Sequence, residues 1–387
     1  MSDKLKKLTG KNPKDFEPVA FDVINIPDVE LFKELIDNED FLFDFIKQNV
    51  ANRLAKVCNS SNYLNLLQFL KYYSPSYEDV IISNLVKFSD EDLTDKMLAI
   101  FEDGTDDEKT YCAKYFSIVQ DSLALDSLKE NAYSENSSLS ANCATALALF
   151  GDTESKNEAL VKLKSDDEFE KLDGVRFLVS YGDKSVIPAI VDVMKTSSFA
   201  ENIAGDLLYL TDLFSLYKTN KIDALFVFNS VINGLGEILG LAQIFDFRLY
   251  EFIEMLLKEQ TDSEIAVVLA NAKDKFNTLT ENDEYLFDET KDVKQEVMDI
   301  KQLLSSFKVN QSLINAELKS ESLFVFTALE FANNESAIRG LLISANQTVV
   351  LKALEMLKQM NSLTKEDKNL ALSSVTSEDI KSVIVAI

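Results

Sequence analysis

The sequence has neither histidine nor tryptophan among its 387 residues. Those two absences remove the commonest general base, the commonest metal ligand and the best cation–π platform. Ser-His and Cys-His nucleophiles, HExxH centres and Cys/His zinc sites are thereby excluded. Glycine (10) and proline (5) are scarce, together at roughly a third of ordinary usage. Turn-rich all-β folds and glycine-rich phosphate-binding folds need more of both. Three cysteines, Cys58, Cys112 and Cys143, show no CxxC spacing, a pattern that suits a reducing, cytoplasmic location. The opening MSDKLKKLTGKNPK carries five lysines with no apolar stretch after them, so it reads as a solvated tail and not as a secretory signal.

Basic charge is also short. Against 65 Asp and Glu stand 39 Lys and Arg, a net charge of −26, and only four residues are arginine: Arg53, Arg176, Arg248 and Arg339. That balance leaves little to hold a phosphate backbone or stack bases, and no nucleic-acid partner is expected. What the chain does have is apolar material. Hydrophobic residues make up 46%, with 26 Phe, enough for a large core and too much for general disorder. The length suits two or three domains, or one elongated array.

An internal period decides between them. Asp121, Asp152 and Asp183 recur at a constant interval of thirty-one, and stepping back by the same interval gives Asp90, Asn59 and Asp28. Two residues before these anchors stand Ile26, Val57, Phe88, Val119, Phe150 and Tyr181; five before, Val23, Leu54, Leu85, Phe116, Leu147 and Leu178; eight before, Ala20, Ala51, Ile82, Ala113, Ala144 and Val175. Spacings of three in apolar residues mark one face of a helix. Seven after the anchors come Leu35, Leu66, Met97, Leu128, Ala159 and Ile190, the start of a second apolar face. Each period predicts two amphipathic helices joined at the Asp or Asn. That residue is read as a structural N-cap, which accepts an orphan backbone N–H. Gly151 and Gly182 just before it suit a left-handed helix end. A hairpin of this kind cannot bury both faces alone, so neighbours should stack.

The run Gly174 to Ser198, GVRFLVSYGDKSVIPAIVDVMKTSS, resembles the short HEAT-like repeats also found in phycobilisome lyases. Val175, Arg176, Gly182, Asp183, Val186, Ile187, Pro188 and Ile190 carry the likeness, which spans residues 40–198. It implies an all-α, armadillo-type α-solenoid of stacked helical hairpins. The family it points to serves mostly as scaffolds and adaptors. It also includes chromophore lyases and chaperone-like members, which are the alternative functional reading.

On this basis residues 1–39 form a tail and capping unit, with Val19–Ile26 partly alternating, and residues 40–198 the regular repeats. Residues 199–280 form irregular helical repeats, because the period would put Phe214 at the next anchor and its neighbours no longer match. The acidic stretch 281–292 is a linker or loop, and residues 293–387 form the C-terminal repeats and cap. Further helices are predicted at about 200–217, 222–235, 238–258, 262–278, 291–307, 311–319, 321–332, 335–344, 347–360, 364–373 and 376–386. Ala224–Phe245 is long and apolar with Glu237 as its lone charge, but Asn229, Asn233, Glu237, Gly234 and Gly236 favour two buried helices over a membrane span.

The acids are unevenly placed. At outward positions of the second helices ten acids face only Lys33 and Lys96, whereas on the first helices five basic residues face Asp22 and Asp173. The HEAT-like resemblance implies that second helices line the concave side, so Glu34, Asp37, Asp95, Asp126, Glu130, Glu158 and Asp192 are the candidate partner-binding residues. The anchors Asp28, Asn59, Asp90, Asp121, Asp152 and Asp183 are candidate structural caps. The expected partner is a protein with a basic segment. The expected function is a non-enzymatic cytoplasmic scaffold, with no catalytic residue, cofactor or metal. Cys112 and Cys143 share one repeat position and read as buried free thiols, since stacked helices about 8–10 Å apart are too distant for a disulfide.

Overall fold

A computed structural model describes residues 63–70, 75–236, 238–241, 248–281, 291–318, 335–344 and 347–387. Within them the protein is helical and forms no strand. The extended reading of Val19–Ile26, the helix expected at 321–332 and most of the acidic linker lie outside the described residues. The chain divides into two compact units, one of residues 1–162 with 176–182 and one of residues 163–175 with 183–387.

In the first unit a 3₁₀ helix, Tyr63–Phe69, is followed by α1 (Pro75–Lys87), α2 (Glu91–Asp103), α3 (Asp106–Val119), α4 (Leu125–Asn131), α5 (Ser137–Phe150) and α6 (Thr153–Lys162). Helix α3 packs against α1 and α2, and α5 packs against α3 and α4. The sequence makes these helices in a readable way. Leu93, Met97 and Phe101 are buried on α2, four residues apart, while Asp92, Asp95 and Glu102 are exposed, the spacing of an amphipathic helix. Thr105 and Glu108 form a reciprocal capping box at the start of α3, which satisfies two orphan donors. Phe116 is buried, stacked on Phe101 at 6.1 Å and edge-on to Tyr115 at 5.1 Å.

The residues five before the described anchors, Leu85, Phe116, Leu147 and Leu178, are buried, as are Ile82, Ala113, Ala144 and Val175 eight before and Met97, Leu128, Ala159 and Ile190 seven after. Phe88, Val119, Phe150 and Tyr181 are half-buried. The residue before the anchor is left-handed in three cases: Gln120 (φ 55°), Gly151 (φ 71°) and Gly182 (φ 81°). At Gln120 the left-handed backbone, which side chains with a Cβ seldom adopt, coincides with an Nε2 hydrogen bond to the Leu149 carbonyl at 3.1 Å.

The second helices are not uniform. Asp90 and Asp152 lead directly into α-helix, but Asp121 and Asp183 each open one 3₁₀ turn, Ser122–Ala124 and Lys184–Val186. The α-helix then begins at Leu125 or at Ile187, and Pro188 lies in the first turn of the latter. Proline is tolerated there because that N–H has no intrahelical partner.

Helix α7 (Glu168–Tyr181) gives its last residues to the first unit. The second unit then continues with α8 (Ile187–Met194), α9 (Ala200–Leu210), α10 (Leu213–Thr219), α11 (Lys221–Gly234), α12 (Leu249–Lys258), α13 (Ser263–Glu281), α14 (Lys291–Ser305) and α15 (Gln311–Leu318). The single helix expected over 200–217 is two helices, because the Asp212 carboxylate accepts from Ser215 N–H and starts α10 afresh. Helix α13 is the hub: it packs against α11, α12, α14 and α15, and Ile265 through Ala272 are all buried. A helix covered on every side needs no polar stripe. The unit ends with α16 (Glu335–Gly340), α17 (Gln347–Gln359), α18 (Lys365–Ser374) and α19 (Glu378–Ala386). The apolar end of α19 buries Ile384 but leaves Val383 and Val385 exposed. Among the described residues no helix is long and apolar enough to cross a membrane.

Candidate functional site

The four described anchors are all spent on helix starts. Asp90 Oδ1 accepts from Leu93 N–H at 2.8 Å and its Oδ2 accepts from the Tyr63 hydroxyl at 2.9 Å. The Leu93 amide first and the Tyr63 hydroxyl second hold the Asp90 carboxyl below the usual range, while the bond to Asp90 pushes the Tyr63 phenol up to about 12. Asp121 accepts from Leu123 N–H at 3.0 Å, Asp152 from Ser155 N–H at 3.1 Å and Asp183 from Ser185 N–H at 2.8 Å. The other two, Asp28 and Asn59, lie outside the described residues, as do Glu34, Asp37 and Cys58.

The remaining acids sort themselves by pairing. On α2 Lys96 pairs with Asp92; Lys129 on α4 reaches Glu154 at 2.6 Å and Asp152 at 3.6 Å; Lys195 lies 3.2 Å from Asp192 and 2.8 Å from Asp223. The Lys129 ammonium is held above its ordinary value, chiefly by the hydrogen bond to Glu154. Lys129 and Lys195 oppose Glu154 and Asp192 from positions eight and twelve residues after Asp121 and Asp183, off the outward positions of the second helices. Four candidate residues keep their charge to themselves. Asp95 on α2, Asp126 and Glu130 on α4 and Glu158 on α6 are exposed, and among the described residues none of them is in an ion pair. Asp126 and Glu130 stand four apart on one short helix, a like-charge spacing that costs about 0.2–0.5 kcal/mol. All four belong to the first unit; Asp192 belongs to the second.

The two described thiols lie away from solvent. Cys112 and Cys143 are buried and free, and burial pushes both well above the ordinary thiol range, so neither supplies a thiolate. Among the described residues no group of three Cys, Asp or Glu side chains is placed to hold a metal ion.

One polar cluster has only a faint sequence signal. Asn271 Nδ2 on α13 donates to Asn229 Oδ1 at 2.7 Å and to Asn233 Oδ1 at 2.8 Å on α11. All three side chains are buried, and Asn229 Nδ2, Asn233 Nδ2 and Asn271 Oδ1 have no hydrogen-bond partner among the described residues. The Lys275 ammonium adds a bond to the Asn233 carbonyl at 3.0 Å, at the carbonyl end of α11. The i, i+4 spacing of Asn229 with Asn233 is visible in the sequence, but their partner Asn271 lies far along the chain, on another helix, and nothing local announces it. Elsewhere in the second unit Glu168 accepts from Ser197 Oγ and from Ser198 N–H and pairs with Lys171. These contacts, led by Lys171, hold its carboxyl below the usual range.

No protein-family model matches the sequence, and no curated protein matches it.

Proposed function

We propose that the protein is a non-enzymatic scaffold, a HEAT-like stack of helical hairpins whose second-helix acids receive a basic segment of another protein. The single observation that supports this best is the set of exposed, unpaired carboxylates Asp95, Asp126, Glu130 and Glu158 on three successive second helices. Carboxylates at Asp90, Asp121, Asp152 and Asp183 have a local employment as caps; among the described residues these four have none. The stacked reading draws its support from the burial at equivalent positions and from the order in which α1, α3 and α5 pack. A partner would anchor through apolar contacts and align through its basic rim, with no bond made or broken.

The test is binding of a fluorescent Lys/Arg-rich peptide, followed by anisotropy and stopped flow at several salt concentrations. Affinity falls severalfold as salt rises, because exposed charges are screened over about 10 Å at 0.1 M. Glu130→Lys with Glu158→Lys slows association more than it speeds dissociation. Binding that ignores salt and charge reversal would overturn the reading.

A further inference from the structure

The asparagine cluster between α11 and α13 carries hydrogen-bonding capacity that its own members do not use. Asn229 and Asn233 lie about one turn apart on α11, and each meets the same atom of Asn271, at 2.7 and 2.8 Å. The far atom of each amide, Asn229 Nδ2, Asn233 Nδ2 and Asn271 Oδ1, has no hydrogen-bond partner among the described residues. Bulk water does not reach them, because α11 is buried from Ala224 to Gly234 and α13 from Ile265 to Ala272. Leaving a buried amide in that state is costly, and nearly all such groups in proteins are satisfied. The polar groups around the cluster keep to that rule. Ser230, also buried on α11, donates to the Phe226 carbonyl at 3.1 Å, and the Asn233 main-chain carbonyl accepts from Lys275 at 3.0 Å.

Counting donors and acceptors identifies the ligand that fits. With the amides as they stand, two NH2 groups and one carbonyl oxygen are left over. Turning all three amides over keeps both contacts and reverses the remainder to two oxygens and one NH2 group. Turning fewer sets like atoms against each other and breaks a contact. An anion would suit the two NH2 groups but would meet the Asn271 oxygen; a cation would suit oxygens but would meet an NH2 group and the Lys275 ammonium. Water both accepts and donates, so it answers either remainder.

We infer that the cluster of Asn229, Asn233 and Asn271 is a binding site for internal water, held between α11 and α13 inside the second unit. About three hydrogen bonds to otherwise unsatisfied groups is the ordinary coordination of a buried water. The three asparagines supply that number from two helices, in a setting where no other solvent competes.

The test is water–protein cross-relaxation in the isotope-labelled full chain, read at the side-chain NH2 signals of the three asparagines. Cross-peaks to water with opposite signs in nuclear Overhauser and rotating-frame experiments mark a held water. They are expected at Asn229 and Asn233, or at Asn271 where the amides are turned over. Equal signs would mark proton exchange with solvent, and missing cross-peaks a dry cluster; either result would overturn the inference. Replacing chloride by sulfate at constant ionic strength should leave the three signals in place, whereas a saturable chloride-dependent shift would assign the cluster to an anion. Asn229→Leu, Asn233→Leu and Asn271→Leu combined should remove the long-lived water from the water-oxygen relaxation profile. Thr110→Val, at a buried hydroxyl in the first unit that already donates to the Asp106 carbonyl at 2.7 Å, should not. An undiminished profile in a folded triple variant would contradict the site, and the wild-type cross-peaks decide the matter even if that variant does not fold.

Discussion

The two compact units solve the burial problem differently. The first builds its core from short helices with apolar stripes at spacings of three and four, several of them started by side-chain caps. Its large buried side chains include Phe101, Phe116 and Leu147, and its buried polar residues are hydroxyl-bearing Thr94, Thr110, Ser117 and Ser155. The second wraps four helices around α13, which is buried all round over Ile265–Ala272, and tolerates a three-asparagine cluster in its interior. Both units start helices with side-chain caps, but the interior of the second also depends on long-range contacts that no local rule specifies.

Truncations separate the two most strongly. Phe116→Ala removes a ring packed between Phe101 and Tyr115 and should destabilise the protein by about 3–5 kcal/mol, measured by urea unfolding. Next comes Asn271→Leu, which strips both Asn229 and Asn233 of their donor and should cost about 2–3 kcal/mol. Replacing all three asparagines by leucine should recover most of that loss, since apolar packing can substitute for a half-satisfied polar cluster. If the triple variant is as unstable as the single one, the cluster is not a polar exception in an apolar core. Asp152→Ala in the first unit removes a cap and should cost about 1 kcal/mol.

The smallest effect is a pH dependence in the second unit. The Glu168 carboxyl titrates lower in the folded protein than when unfolded, so in the window between the two values the unfolded chain binds the extra proton. Its contribution is present above the unfolded value of about 4.3 and is lost as pH falls through the folded value. Glu168→Gln should flatten that part of the stability–pH curve; an unchanged slope would remove Glu168 from the account.

Much of the first unit is legible in the sequence because its rules are local. Asp90, Asp121 and Asp152 announce helix starts, as Asp183 does at the beginning of the second unit, and Gly151 and Gly182 announce left-handed ends. Gln120 hides a third such end, since its side chain gives no hint of positive φ. The 3₁₀ turns after Asp121 and Asp183 are likewise silent, because the same apolar spacing fits either helix type over one turn. In the second unit Asp212 restarts a helix that hydrophobic spacing alone would run through, and the asparagine cluster joins helices well separated along the chain. For the candidate face, exposure could be read from spacing, but pairing could not: Lys129 neutralises Glu154 from a different helix.

If the hairpins are interchangeable, as proposed, one can be deleted without loss of the others. Removing Asp121–Gly151, one full period, joins the left-handed Gln120 to the cap Asp152 and preserves the apolar register. Thermal unfolding followed by circular dichroism should remain a single cooperative transition at nearly native helicity per residue. An out-of-phase deletion, Asp121–Ala144, should abolish that transition. Equal loss of structure in both variants would contradict the claim.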